Sequence, residues 1–198
     1  MYLESVSATT STKRRAAGIG ARERIQRAAA RLFYRRGIHA TGVELVAQEA
    51  KVSKRTLYQH FASKTDLVAD YLRAFDAQGG APVERQLTDS ALSPRERLLG
   101  IFDGQPAKVF RGCPFHNAAV ESAGALRGVD DIVRSHKLEF TDRLIAVAEE
   151  AGAVDPELLG RQLAVLFEGA TALATSLNDI TPIVDARVAA AALIDAAT

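Results

Sequence analysis

One cysteine, no tryptophan and no long apolar run set the first limits on this 198-residue chain. A lone cysteine excludes an intrachain disulfide. Cys113 and His116 have C-x-x-H spacing, half of a metal site, but no further ligands accompany them. No metal and no cofactor is therefore expected. No apolar stretch approaches the roughly 18 residues of a membrane helix. The longest, Val188 to Ile194, is mostly alanine. No apolar signal segment follows Lys13-Arg14-Arg15, so the expectation is a cytoplasmic protein with no membrane partner. Phosphate loop, nucleophile elbow and zinc signature are all missing, and an enzyme is not expected.

What is present is unevenly distributed. The apolar fraction of 47% suffices for a core, and the net charge is only +1. That near-neutrality conceals an asymmetry. Residues 1–62 carry 12 Lys and Arg against 4 Asp and Glu, whereas residues 63–198 carry 13 against 20. A basic first third on an acidic remainder suits a nucleic-acid reader joined to a separate second domain.

The basic third contains two short helical patterns, Thr41 to Lys64. Val43, Val46, Ala47 and Ala50 recur at helical spacing, with Thr41 as the expected N-cap. After Ser53, a second cap candidate, Leu57 and Phe61 form the apolar side of another helix. Lys51-Val52-Ser53 between them has room only for a tight turn, with Val52 plugging the corner. Together they read as a helix-turn-helix. The polar side of the second helix holds Lys54, Arg55, Thr56, Tyr58, Gln59 and His60. The only two acids of the stretch, Glu44 and Glu49, lie on the first helix. Donors on an exposed helix face match the edges of base pairs in a major groove, so double-stranded DNA is the expected partner.

The segment Arg24 to Val68, and above all S-K-x-T-L-Y-x-H-F-x-S-K at Ser53 to Lys64, resembles the DNA-binding domain of the TetR family of one-component transcriptional regulators. Two positions depart from the family pattern. Gly42 stands where the family usually has Ser or Thr, and Lys51 where it usually has glycine. A left-handed Lys51 costs roughly 1 kcal/mol and puts one more cation near DNA. The resemblance implies a homodimer on a palindromic operator, most often a repressor, released by a small-molecule effector. It implies phosphate contacts from Tyr58, His60 and Lys64, beside base contacts from Lys54, Arg55, Thr56 and Gln59. Thr41 and Lys51 complete the expected DNA-binding set.

The whole chain reads as all-α, with about nine helices. Residues 1–20 are expected to be a disordered basic arm, 21–67 the helix-turn-helix domain, and 68–198 a regulatory, ligand-binding and dimerisation domain. Ala21 to Arg36 forms a helix ended by Gly37, with Arg22 and Arg24 as further phosphate candidates. Ser63 to Asp66 is a capping pattern that opens the helix linking the two domains in the family. Gly79, Gly80 and Pro82 mark a break. Ser93-Pro94-Arg95-Glu96 is a second capping box, and its helix is interrupted by Gly104 and Pro106 near Lys108-Val109-Phe110. A short helix is expected around Ala118 to Ala123. Long helices follow at Val129 to Glu150, from Asp155-Pro156 to about Leu177, and after a Thr181-Pro182 cap.

The last two helices are rich in alanine and poor in charge, apolar on more than one side, and so want a partner on each side. In the family such helices form a four-helix bundle with a second subunit. Leu163, Leu166, Ala170, Leu173, Leu177, Val184, Val188 and Ala192 are the expected dimer contacts. An effector pocket is expected from Phe102, Phe110, Cys113, Phe115, His116 and Asn117, with Val120, Glu121, His136, Phe140 and Phe167. Cys113 lies near a helix start and Arg111, an environment that can lower a thiol pKa, while the more common role of such a cysteine is a buried small hydrophobe. One rival function is therefore an electrophile or oxidant sensor acting through Cys113. Another is a small thiol enzyme using Cys113 and His116.

Overall fold

The protein is described by a computed structural model covering residues 19–103, 110–122, 124–126 and 128–198. The expected arm with Lys13, Arg14 and Arg15, and the expected kink at Lys108-Val109, lie outside the described residues. Among the described residues there are nine α-helices and no strand. They are α1 (Ala21–Arg36), α2 (Val43–Glu49), α3 (Lys54–His60), α4 (Lys64–Asp76), α5 (Pro94–Gly100), α6 (Pro114–Ser122), α7 (Val129–Glu150), α8 (Pro156–Leu177) and α9 (Thr181–Ala197). A 3-10 turn, Glu84–Thr88, separates α4 from α5. None of these helices is long and apolar enough to cross a membrane.

The local signals account for most helix ends. Gly37 stops α1 at φ 93°, where its N–H bonds to Phe33. The Ser53 hydroxyl accepts the Thr56 N–H at 3.0 Å and starts α3. Ser63 does the same for Asp66 in α4, and Ser93 with Glu96 forms a complete capping box at α5. Two expected caps are corrected. Gly42, not Thr41, precedes α2, without a side-chain cap. Asp179 rather than Thr181 serves α9, its carboxylate accepting the Thr181 N–H at 3.0 Å. The short helix expected near Ala118 begins four residues earlier, at Pro114. Lys51 sits in the left-handed region, φ 54°, as the turn demands.

Two apolar clusters result. The first joins Ile25, Ala29, Leu32 and Phe33 of α1 to Val46, Leu57, Leu67 and Leu72. Phe115 and Ala118 of α6 and Val129 of α7 enter this same cluster, so the boundary expected after residue 67 falls inside continuous packing. The second cluster joins α5, α7, α8 and α9 through Leu98, Phe102, Phe140, Leu144, Leu163, Phe167 and Ala190. At Gly160 a Cβ would lie 2.8 Å from the Ile145 backbone nitrogen, so glycine is what lets α7 and α8 close up.

Candidate nucleic-acid interface and internal pocket

α3 buries only Leu57 among its seven residues. Its outer face presents Lys54, Arg55, Tyr58, Gln59 and His60, all exposed, with Tyr58 43% accessible despite its apolar ring. Lys54 is ion-paired across the turn with Glu44, which draws the Glu44 carboxyl below its ordinary range. Exposed pairs of this kind hold a side chain only weakly, so the pair leaves Lys54 free to exchange partners. Thr56 is half-buried and bonds Ser53 Oγ at 2.8 Å, which turns its hydroxyl toward the cap. Lys51 is exposed at the corner.

Lys64 is half-buried and donates to the His39 carbonyl at 3.4 Å. Burial pulls its pKa below the usual lysine range, against the opposite pull of Glu121. Thr41 is corrected as a DNA contact. It is fully buried, and its hydroxyl donates to the carbonyl of Gly37 at 2.7 Å, where it ties off the end of α1. Arg22 and Arg24 are likewise occupied within the fold. Arg22 pairs with Asp70 at 2.6 Å and lies over the Phe61 ring, while Arg24 donates to Ala50 and Ile19 carbonyls.

Beyond the head, α4, the 80s turn, the end of α5, α8 and α9 enclose a pocket of about 430 Å³. Of the expected lining, Phe110, Cys113 and Phe167 face it. Phe102 and Phe140 stand behind, packed on Phe167 at centroid distances of 5.9 and 5.4 Å. Phe115 and His136 are also behind the wall, stacked on each other at 3.6 Å. His116, Asn117, Val120 and Glu121 instead border a shallower groove of about 160 Å³ between α6 and α8. Glu121 accepts the His39 N–H at 2.7 Å and so ties α6 to the head.

Sequence reasoning missed Tyr34, Phe75, Glu84 and Ile183 in the wall. Phe75 ends the apolar stripe of α4 and was within reach; the others come from distant segments with no shared local pattern. Glu84 is the most informative. It is 3% exposed, a carboxylate in an apolar wall. Its Oε2 lies 3.5 Å from His136 Nε2 and 3.3 Å from Arg143 Nη2. The other imidazole nitrogen of His136 meets Asp76, the last residue of α4, at 2.7 Å. The pocket wall is thereby connected to the helix that continues into the head.

Of the two readings of Cys113, the direction of its pKa favours the buried thiol over the activated one. Burial pushes it up, outweighing the nearby Lys137 ammonium and the N–H of His116. Lys137 is itself paired with Glu168 and donates to the sulfur at 3.4 Å. Cys113 is held as a neutral thiol. No group of three or more metal-ligating side chains occurs among the described residues.

The dimer residues divide. Leu163 and Ala170 are corrected, because both point into their own subunit's core. Leu166 is half-buried and Ala192 exposed. Leu173, Leu177, Val184 and Val188 are 52–70% exposed, joined by Val165 at 74%. On α9, Arg187 is paired with Asp103 and Asp195 with Arg95 of the same chain, while Asp185 is exposed beside Val184. They leave an apolar stripe across α8 and α9.

A three-helix head with an exposed, basic α3 face is thus joined to a helical region that holds a pocket. Residues 25–71 match the family model for bacterial regulatory proteins of the tetR family. A tetR-type transcriptional regulator of Streptomyces avermitilis is 34% identical, covering 90% of this chain and 98% of that one, with a TM-score of 0.73. A TetR-family regulator from Streptomyces coelicolor is 28% identical over 89% of this chain and 95% of its own, TM-score 0.80. The HTH-type transcriptional repressor KstR2 of Mycobacterium tuberculosis is 38% identical over 92 residues, 46% of this chain and 44% of that protein. The match thus spans less than half the length of that curated relative. This chain belongs to the TetR family, whose matched members are regulators rather than enzymes.

Proposed function

We propose that this chain is a sequence-specific transcriptional regulator, a repressor that binds a palindromic operator as a homodimer and leaves it when a small molecule fills the internal pocket. The observation that carries the reading is α3: five of its seven side chains are exposed polar groups, and only Leu57 of the seven is buried. An exposed helix face of donors matches the base-pair edges of a major groove. Lys54, Arg55, Gln59 and, through a rotated hydroxyl, Thr56 meet base edges; Tyr58, His60, Lys51 and Lys64 meet phosphates. Two heads are needed because one short helix reads too few base pairs for useful specificity. The exposed stripe of Val165, Leu173, Leu177, Val184 and Val188 supports the dimer. The name of the KstR2 relative supports repression.

Release is a population shift. Glu84 stands in the pocket wall, and His136 joins it to Asp76 at the end of α4. A ligand that rearranges Glu84 favours a different setting of α4, and so a different spacing of the heads. It does so only by binding the DNA-incompetent state more tightly.

The test begins with selection of bound DNA from a random pool. A palindromic consensus is expected, with Arg55→Ala weakening it about 10- to 100-fold and relaxing one position per half-site. Failure to enrich any sequence, or full affinity retained by both Arg55→Ala and Lys64→Ala, refutes the groove assignment.

A further inference from the structure

Glu84 has too few good partners for a buried carboxylate. Its three neighbours are the Ala81 N–H, Arg143 and His136, at 3.3, 3.3 and 3.5 Å. Charge-assisted bonds to a carboxylate ordinarily close to about 2.7–2.9 Å. The residue is nevertheless 3% exposed. Arg143 is pulled partly away, with its guanidinium over the Phe140 ring and its Nε buried without a partner. The carboxylate is thus paired only at arm's length, and it borders the 430 Å³ pocket.

The rest of the described lining is mostly apolar, with four aromatic side chains and one further acid. Phe75, Phe110 and Phe167 surround the space, and the faces of such rings attract cations. Asp103 is the only other charged residue among the described lining, and Arg187 already neutralises it at 2.6 Å. A carboxylate or phosphate entering here finds no cationic side chain among the described lining. A ligand with an ammonium group meets a short partner that the protein itself does not provide.

We propose that this pocket takes a lipophilic amine, its ammonium group seated on the Glu84 carboxylate and its apolar body among Phe75, Phe110 and Phe167. The volume suits a body of about 15–20 non-hydrogen atoms. The proposal rests on the regulator reading for its consequence but not for binding itself. A cation on Glu84 competes with His136 and Arg143 for the same oxygen, and His136 carries that change to Asp76 at the end of α4.

Three probes with one ring and one chain test the proposal: 4-(1-naphthyl)butylamine, the matching butanol and the matching butyric acid. Their binding to the full chain is measured by calorimetry near pH 7. The amine is expected to bind at least about 10-fold tighter than the alcohol, the return of one charge-assisted hydrogen bond, with the acid weakest. In Glu84→Gln the amine and alcohol should become equal while alcohol binding is kept. Should that variant fold poorly, the order of the three probes on the wild-type protein decides by itself. Phe110→Ala, which leaves the charge in place, should weaken amine and alcohol alike. An acid that binds as well as the amine, no binding of any probe, or an amine preference that survives Glu84→Gln overturns the proposal. Operator release is read separately. Selective amine binding with unchanged operator affinity leaves the ligand class standing and sinks the release mechanism.

Discussion

Val188→Glu separates association from folding more cleanly than any change in the core. Val188 is 70% exposed on α9, so the isolated chain loses almost nothing when it is replaced. Glutamate is also a better helix former than valine, and exposed substitutions usually stay within about 0.5 kcal/mol. In the proposed dimer the same position lies in an apolar stripe with Val184 and Ala192, where the nearby Arg187 and Asp195 are already paired within the chain. The introduced carboxylate finds no unpaired cation among its described neighbours on α9, and twofold symmetry in that dimer buries it twice. An unpaired buried charge costs about 3–5 kcal/mol, so two of them weaken the dimer by at least about 1,000-fold. Sedimentation velocity at micromolar concentration reads this directly. The wild type is expected as a dimer and the variant as a monomer of unchanged helicity and thermal midpoint. Operator affinity should fall with the loss of the second head. A wild-type monomer at this concentration, or a variant that remains dimeric, refutes the assigned face. Ala170→Glu is no substitute, because Ala170 is 5% exposed inside its own subunit and the change would unfold it.

Three further outcomes are predicted. Lys51→Gly should raise stability by roughly 1 kcal/mol, since Lys51 holds φ 54°, and a denaturant midpoint that falls would contradict the strain. It should also lower operator affinity slightly, as one cation near phosphate is lost. Lys64→Ala should weaken all DNA sequences alike and flatten the salt dependence by about one ion, whereas a change in sequence preference would place Lys64 at a base instead. Cys113 should react with iodoacetamide more slowly than a free peptide thiol at pH 7. Because its folded pKa is raised, the neutral thiol is the native form, and stability falls as pH rises past the ordinary thiol range. Rapid alkylation at neutral pH, read by mass spectrometry, would restore the thiol-sensor reading.

The reading head was legible because its signals are local. Ser53 capping Thr56, Leu57 and Phe61 at i and i+4, and the donors between them all lie within one turn of each other. Helix ends at Gly37, Ser63, Ser93 and Asp155 were legible for the same reason: a cap is made by residues at most four apart. The apolar character of α8 and α9 was also plain, but periodicity alone does not say which apolar side meets its own core. Packing of α8 against α7, and of α9 against α8 and α5, decided that Leu163 and Ala170 turn inward and that Val165, Leu173 and Val188 remain outside. Thr41 fitted a cap by type, yet the carbonyls that α1 leaves unpaired at Gly37 claimed its hydroxyl. Cys113 had the position of an activated thiol, yet burial outweighed its cationic neighbour. The wall formed by Glu84, His136 and Asp76 joins residues up to 60 positions apart, and no local rule brings them together. Sequence by itself thus determined the helices, their caps and the donor face of α3, because those depend on neighbours along the chain. Only the tertiary structure decided which side chains are buried and which charges lack a close partner, because desolvation and pairing depend on neighbours in space.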